Sequence, residues 1–269
     1  SRFSGRGGPV PLEATSHVFL LGFPRSGTTL TEQILSTLPN MVSLEEAPTL
    51  VHLNHYLEAG RLDELLSLSD RQIDALRAEY WAKVAEAGAE VTGKTFIDMD
   101  PLKGAALPAI ARLFPDAKVI VMHRDPRDVV WSCFRHSFVY SPATCEFTSL
   151  ERAARHYDAV MTVLRLCLTR LKIDAHILCY ERLVREFEVA TRDLCTFLDV
   201  RWSAEMAEFD RAAQGRRVRT ASADQVRQAL FDGSGQWNGY ATFMDHVLPI
   251  LAPWIDPSSL LEPVPTPAE

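Results

Sequence analysis

The segment Gly22-Phe23-Pro24-Arg25-Ser26-Gly27-Thr28-Thr29 concentrates residue types that could bind and polarise a phosphate. Two glycines with four residues between them, followed by paired threonines, have the spacing of a phosphate loop. In such a loop backbone N–H groups and the positive end of a helix cradle the anion. In nucleotide triphosphatases a lysine follows the second glycine and reaches the β- and γ-phosphates, and the next Ser or Thr holds Mg²⁺. Here Thr28 stands at the lysine position, and Arg25 inside the loop supplies the nearby cation. The loop therefore suits a 5′-phosphate. A kinase or triphosphatase is disfavoured, since His123 and Arg124 follow the strand Val119–Met122 where a Mg²⁺-holding carboxylate would stand. The bland alternative is a tight strand-to-helix turn in which the glycines serve geometry alone.

A second basic site lies at Arg124-Asp125-Pro126-Arg127, with Ser132 eight residues beyond Arg124. Asp125 can cap the following helix, which carries Ser132 two turns along. A guanidinium fork beside a hydroxyl suits a terminal phosphate, which it can grip bidentately. An arginine paired with acids at a helix start is the plainer reading. His123-Arg124-Asp125 shares letters with the kinase catalytic loop, but no Asn lies five residues past the Asp, which rejects that reading. Arg216, Arg217, Arg219 and Arg227 could grip a phosphate or an acidic acceptor, although such runs are more often solvated surface. His52 and His55 share a helix face without a third ligand, so no metal site is expected.

Several elements must position these groups. The apolar run Val18–Leu21 reads as a buried strand entering the glycine loop, and Leu30, Ile34, Leu35 and Leu38 follow at helical spacing up to Pro39. Ser69-Asp70-Arg71-Gln72 has the form of a capping box opening a helix that stops at Gly88. Thr95–Asp98, Val119–Met122 and His176–Cys179 are further strand candidates. Helices are expected over about 102–113, 149–171, 186–198 and 204–209. Strands alternate with helices and no repeat is visible, which predicts an α/β fold: a mostly parallel sheet of about five strands, helix-covered on both faces in three layers. Residues 1–14 read as a flexible lead-in, 15–255 as the domain and 256–269 as a proline-rich tail.

Composition narrows the partners. The 269 residues are 47% hydrophobic and 23% charged, as in an ordinary globular chain, and carry a net charge of −7. That balance disfavours a broad nucleic-acid surface, so an anionic ligand must meet basic residues gathered locally. No apolar run approaches the ~20 residues of a membrane span, and SRFSGRGG does not read as a signal peptide. Five cysteines, never closer than 12 residues, fit neither a zinc knuckle nor a CxxC pair. They are compatible with a reducing compartment, and a cytoplasmic location is expected.

Taken together, the chain resembles the sulfotransferases. GFPRSGTT is similar to their 5′-phosphosulfate loop and VIVMHRDPRDVVWS to their 3′-phosphate strand-loop-helix. The resemblance continues through LFPDAKVI, YERLV at 180–184, TASADQVRQ at 220–228 and Trp237, spanning about residues 17–240. It is nearest to bacterial sulfotransferases linked to tetratricopeptide repeats and to protein-tyrosine sulfotransferases, which implies an N-terminal repeat domain in the full-length protein. It also implies 3′-phosphoadenosine 5′-phosphosulfate (PAPS) as donor, adenosine 3′,5′-bisphosphate (PAP) as product, no metal, and a hydroxyl-bearing acceptor such as a protein tyrosine, a carbohydrate or a small molecule. By matching position, Arg25, Ser26, Gly27, Thr28 and Thr29 would hold the 5′-phosphosulfate, Arg124 and Ser132 the 3′-phosphate, and Tyr180 and Ser222 would flank the nucleotide. Ser222 also reads more simply as the start of a capping box. Glu46, with Glu45 as alternative, matches the family's catalytic carboxylate, and residues 44–90 and 135–150 are expected on the acceptor side. Two positions depart from the pattern. Met99 stands where the relatives place a lysine, with Lys94 or Lys103 as substitutes, and Gln236 stands where they place a basic residue. A weak or inactive PAP-binding module is therefore the competing reading.

Overall fold

The computed structural model describes residues 14–57, 61–139, 141, 143–214 and 230–263. Its centre is a five-stranded sheet in the order β2-β3-β1-β4-β5, built from β1 (Ala14–Leu21), β2 (Met41–Glu45), β3 (Lys94–Met99), β4 (Lys118–His123) and β5 (Asp174–Cys179). Every neighbouring pair is parallel. A parallel sheet is covered on both faces, so its central strands must be apolar throughout. Val18, Phe19, Leu20 and Leu21 of β1 accordingly have no exposed surface.

Among the described residues, the helices that connect and cover the strands include α1 (Thr28–Leu35), α2 (Asn54–Leu57), α3 (Leu62–Ser67), α4 (Asp70–Glu86), α5 (Leu107–Leu113), α6 (Pro126–Arg135), α7 (Leu150–Arg170), α8 (Tyr180–Arg185), α9 (Phe187–Leu198) and α10 (Phe209–Gln214). On one face Ile34 and Leu35 of α1, Leu183 of α8 and Leu194 and Leu198 of α9 pack with Leu20, Ile97 and Ile120. On the other, Ile73 and Tyr80 of α4, Ile110 of α5 and Tyr157 and Leu164 of α7 pack with Phe19, Phe96 and Val119. This is the expected α/β fold of three layers and five strands.

The expected elements are present with adjusted ends. The capping box is formed, with the Ser69 backbone N–H donating to Gln72 Oε1 at 3.0 Å. The single helix expected over 102–113 is instead a 3₁₀ turn, Pro101–Ala106, followed by α5. Pro108 explains the break, since a residue without an N–H fits a first turn and not a helix interior. Strand β2 was not expected. It is a short edge strand in which only Met41 is buried, so its apolar signal is weak. At the C-terminus, Trp254 and Leu260 are fully buried in the main core and Pro257–Leu261 forms a 3₁₀ turn. Packing thus continues past the boundary expected at residue 255. Most of the expected lead-in lies outside the described residues, and Ala14 already belongs to β1.

Because all strands run the same way, their carboxyl ends share one edge of the sheet. In open α/β sheets ligands bind in the crevice outside those ends, where the strand order reverses. Here β1 sits mid-sheet, and the chain crosses from β3 over it to β4. The turns leaving the strands carry Gly22–Gly27 after β1, Glu46 after β2, Asp100 after β3, Arg124 after β4 and Tyr180 after β5.

Candidate active site

The glycine loop closes tightly on itself. Ser26 N–H donates to the Phe23 carbonyl at 3.1 Å, and Gly22 N–H to the Pro101 carbonyl at 3.1 Å. Gly27 caps α1 at φ 106°, and a Cβ there would stand 2.9 Å from the Tyr180 ring, so both conformation and space require glycine. Thr28 and Thr29 begin α1 and are buried. Their N–H groups belong to the first turn, where an α-helix has donors without intrahelical acceptors. Arg25 sits at φ 71°, an uncommon conformation for a side-chain-bearing residue that typically marks a functional turn.

Arg25, Arg124, Ser132 and Tyr180 are brought together at the mouth of this loop. Arg25 Nε donates to Ser132 Oγ at 3.0 Å. Arg124 donates from Nη1 to the Arg25 carbonyl at 3.0 Å and from Nη2 to the Gly233 carbonyl at 2.8 Å. Its guanidinium lies over the Tyr180 ring, 4.4 Å from the centroid, and the Tyr180 hydroxyl accepts from Gly233 N–H at 3.3 Å. Arg25 and Arg124 are 8% and 9% exposed, so two cations are held side by side almost without water. Burial, joined by the charges of Arg124 and Arg135, lowers the Arg25 pKa. Arg124 Nε is buried and has no hydrogen-bond partner among the described residues. Desolvated like charges with an unspent donor form a site that an anion would stabilise.

Helix α6 carries Ser132, and its geometry follows the sequence closely. Asp125 is the N-cap, accepting from Arg127 N–H at 2.9 Å, and Pro126 occupies the first turn. Asp128, one turn in, accepts from the N–H groups of Gly235 and Trp237 at 2.7 and 3.0 Å. The segment that presents the Gly233 carbonyl to Arg124 is thereby tied to α6. Arg127 stacks on Trp237 at 4.2 Å, and Arg135 donates to Gln236 Oε1 at 2.6 Å. Arg135, Asp128 and Gly233 were missed in the sequence, because each acts across about a hundred residues. Ser222 and the arginines at 216–227 lie outside the described residues.

Glu46 stands on the same sheet edge, two strands from the glycine loop. It too has positive φ, 49°, and its N–H donates to the Met99 carbonyl at 2.7 Å. Its carboxylate is open to solvent on one side, while the protein packed around the other raises its pKa to about 7. Asp100 and Glu45 add to that rise and Lys103 opposes it. Glu46 lines a groove of about 590 Å³ together with Glu32, Gln33, Glu45, Pro48 and Glu86. The expected acceptor-side residues 44–48 and 86–87 meet there, whereas residues 135–150 do not contribute to its lining. The Met99 side chain is fully buried in the apolar layer against α1, so at this edge Met99 contributes its backbone carbonyl and no cation. Among the described residues no group of three or more His, Cys, Asp or Glu could hold a metal ion, and no helix is long and apolar enough to cross a membrane.

Residues 17–204 match the model of the family described as "Sulfotransferase family". The chain belongs to the sulfotransferase family. An uncharacterized protein of Aquifex aeolicus is 28% identical over 93% of this chain, and the protein-tyrosine sulfotransferase of Drosophila melanogaster is 25% identical over 82%. The chain spans 33% and 47% of the length of those two relatives. Among solved structures, a mouse sulfotransferase complexed with PAP superposes with a TM-score of 0.55 at 14% identity, covering 88% of this chain and 83% of that one, which shows a shared fold.

Proposed function

We propose that this sulfotransferase chain moves a sulfuryl group from PAPS to an acceptor hydroxyl, with Glu46 as the base. The observation that carries the reading is the buried Arg25–Ser132–Arg124 cluster at the mouth of a glycine loop that has no lysine. The donor set fits a doubly anionic nucleotide. The Ser26 hydroxyl, the amides of Gly27 to Thr29 and the Arg25 guanidinium would hold the 5′-phosphosulfate, Arg124 and Ser132 the 3′-phosphate, and Tyr180 would flank the nucleotide. Ser222 completes the proposed set. When bound, PAPS supplies a sulfuryl group whose bond to the 5′-phosphate breaks as the acceptor oxygen bonds to sulfur.

Glu46 would take the acceptor proton as that oxygen becomes acidic. A carboxyl with a pKa near 7 is well matched to this role at neutral pH, because the best catalytic pKa lies near the working pH. Arg25 and the loop amides would stabilise the charge left on the 5′-phosphate of departing PAP. The acceptor is a hydroxyl compound, with protein tyrosine, carbohydrate and small molecules all within the proposal. All five cysteines are free thiols, which supports a reducing, cytoplasmic setting.

The burial of Met99 supports the second reading, a PAP-binding module with weak turnover. Thermal denaturation with PAP, and separately with ATP and Mg²⁺, tests the common core of both. A ligand at 100 times its Kd adds about 2.7 kcal/mol, roughly 5–10 °C for a chain of this size. PAP should give that rise and ATP with Mg²⁺ little. Transfer of labelled sulfate from PAPS to a panel of tyrosine peptide, sugar and phenol then separates enzyme from module.

A further inference from the structure

Four residues beyond Met99, Lys103 comes to rest beneath the Glu46 turn. It is 8% exposed, and its Nζ donates to the Ala47 carbonyl at 2.9 Å and to Asp98 Oδ1. Asp98 has no exposed surface, and its other oxygen accepts from Thr49 Oγ1 at 2.7 Å and from the Tyr80 hydroxyl at 2.9 Å. His17 Nε2 lies 2.7 Å from that hydroxyl. Burial first, and then Lys103, lower the His17 pKa to about 3, so the ring is neutral. Tyr80 has one proton and gives it to Asp98, which leaves His17 as the donor to Tyr80. Every donor in this network therefore runs toward Asp98, the carboxylate that fixes Lys103.

The network grips the turn after β2 from several sides. Ala47 is bound through Lys103, Thr49 through Asp98, and Glu46 N–H through the Met99 carbonyl. Glu46 itself has φ 49°, a conformation that persists in a side-chain-bearing residue only where the surroundings over-determine it. We propose that Lys103, held by Asp98, is a positioning residue for Glu46: it locks the strained turn that aims the carboxylate and lays a positive charge beneath it. The inference rests on the reading of Glu46 as the base. It also gives a buried lysine a role other than the missing transition-state cation, since two of its three N–H groups are already committed.

The charges facing Glu46 make the effect measurable. Glu45 on β2, Asp100 after β3, and Glu32 of α1 and Glu86 of α4 along the groove are all acidic. Lys103 is the cation that opposes the rise of the Glu46 pKa. Lys103→Met alone would strand a buried carboxylate and endanger folding, so the decisive variant is the double Asp98→Asn/Lys103→Met, which removes both charges together.

The test uses protein labelled with ¹³C at the glutamate carboxyl, without added ligand, with the Glu46 resonance assigned by its loss in Glu46→Gln. The Glu46 titration should move to higher pH in the double variant, while PAP affinity by calorimetry stays within about twofold, since the hydrogen bonds described for Arg25, Arg124 and Tyr180 do not run to this network. An unmoved or lowered Glu46 titration overturns the positioning role. Sulfate transfer by Glu46→Gln separates the two claims. Full activity there removes Glu46 as base whatever Lys103 does, whereas lost activity with an unmoved titration removes only the role of Lys103.

Discussion

Replacing Arg124 by methionine keeps most of the buried volume and deletes the guanidinium. Two of its five N–H groups are spent on the Arg25 and Gly233 carbonyls, and Nε is buried with no partner among the described residues. The free donors can make one or two charge-assisted bonds to a phosphate, each contributing about 1.5–3 kcal/mol. Taking about 3 kcal/mol, PAP affinity should fall by roughly 10²-fold at 1.4 kcal/mol per decade. The assay is calorimetric titration of wild type and variant with PAP and with adenosine 5′-monophosphate, which lacks the 3′-phosphate. If Arg124 holds the 3′-phosphate, the loss is confined to PAP and the monophosphate changes by less than about threefold. Arg124→Lys should restore part of the affinity, since charge survives and the fork does not. Equal losses for both nucleotides would refute the assignment, because they would mean that Arg124 only shapes the pocket by tying Arg25 to Gly233.

Other outcomes follow from the same geometry. Gly27→Ala places a methyl 2.9 Å from the Tyr180 ring at φ 106°. It should cost about 1–3 kcal/mol, read as a fall of several degrees in Tm, and weaken PAP binding at least tenfold. For Glu46 the base form is the deprotonated one, so sulfate transfer should fall as pH drops through about 7. Glu46→Gln should lose at least 10²-fold in kcat and flatten that limb of the pH–rate profile. Asp98→Ala removes the partner of buried Lys103 and two further donors' acceptor, and should destabilise the fold by about 3–5 kcal/mol in urea unfolding. Leu260→Ala should cost about 2–5 kcal/mol, which distinguishes a packed C-terminal turn from a tail.

What could be read from the sequence was whatever lay within one strand, turn and helix. The loop after β1 and the cap and Ser132 of α6 are each contiguous, so spacing alone places Arg25, Thr28, Asp125 and Ser132. That Arg25 reaches Ser132, 107 residues away, depends on β1 and β4 being neighbours, which no local pattern encodes. The Lys103 network is hidden for the same reason: Lys103 reaches the Ala47 carbonyl only because β2 pairs with β3. Strand β2 itself was obscured by its edge position, where Ser43 and Glu45 interrupt the apolar signal. Prolines near the C-terminus suggest a loose end from residue 256, yet Leu260 in the turn Pro257–Leu261 is fully buried.

The most direct test of a pocket built for adenosine 3′,5′-bisphosphate is a crystal structure grown with that compound. The 5′-phosphate should sit against the Ser26 hydroxyl and the backbone of Gly27 to Thr29, with the 3′-phosphate within hydrogen-bond distance of Arg124 and Ser132. Nucleotide density elsewhere, or an unchanged Arg124 with no phosphate beside it, would contradict the account.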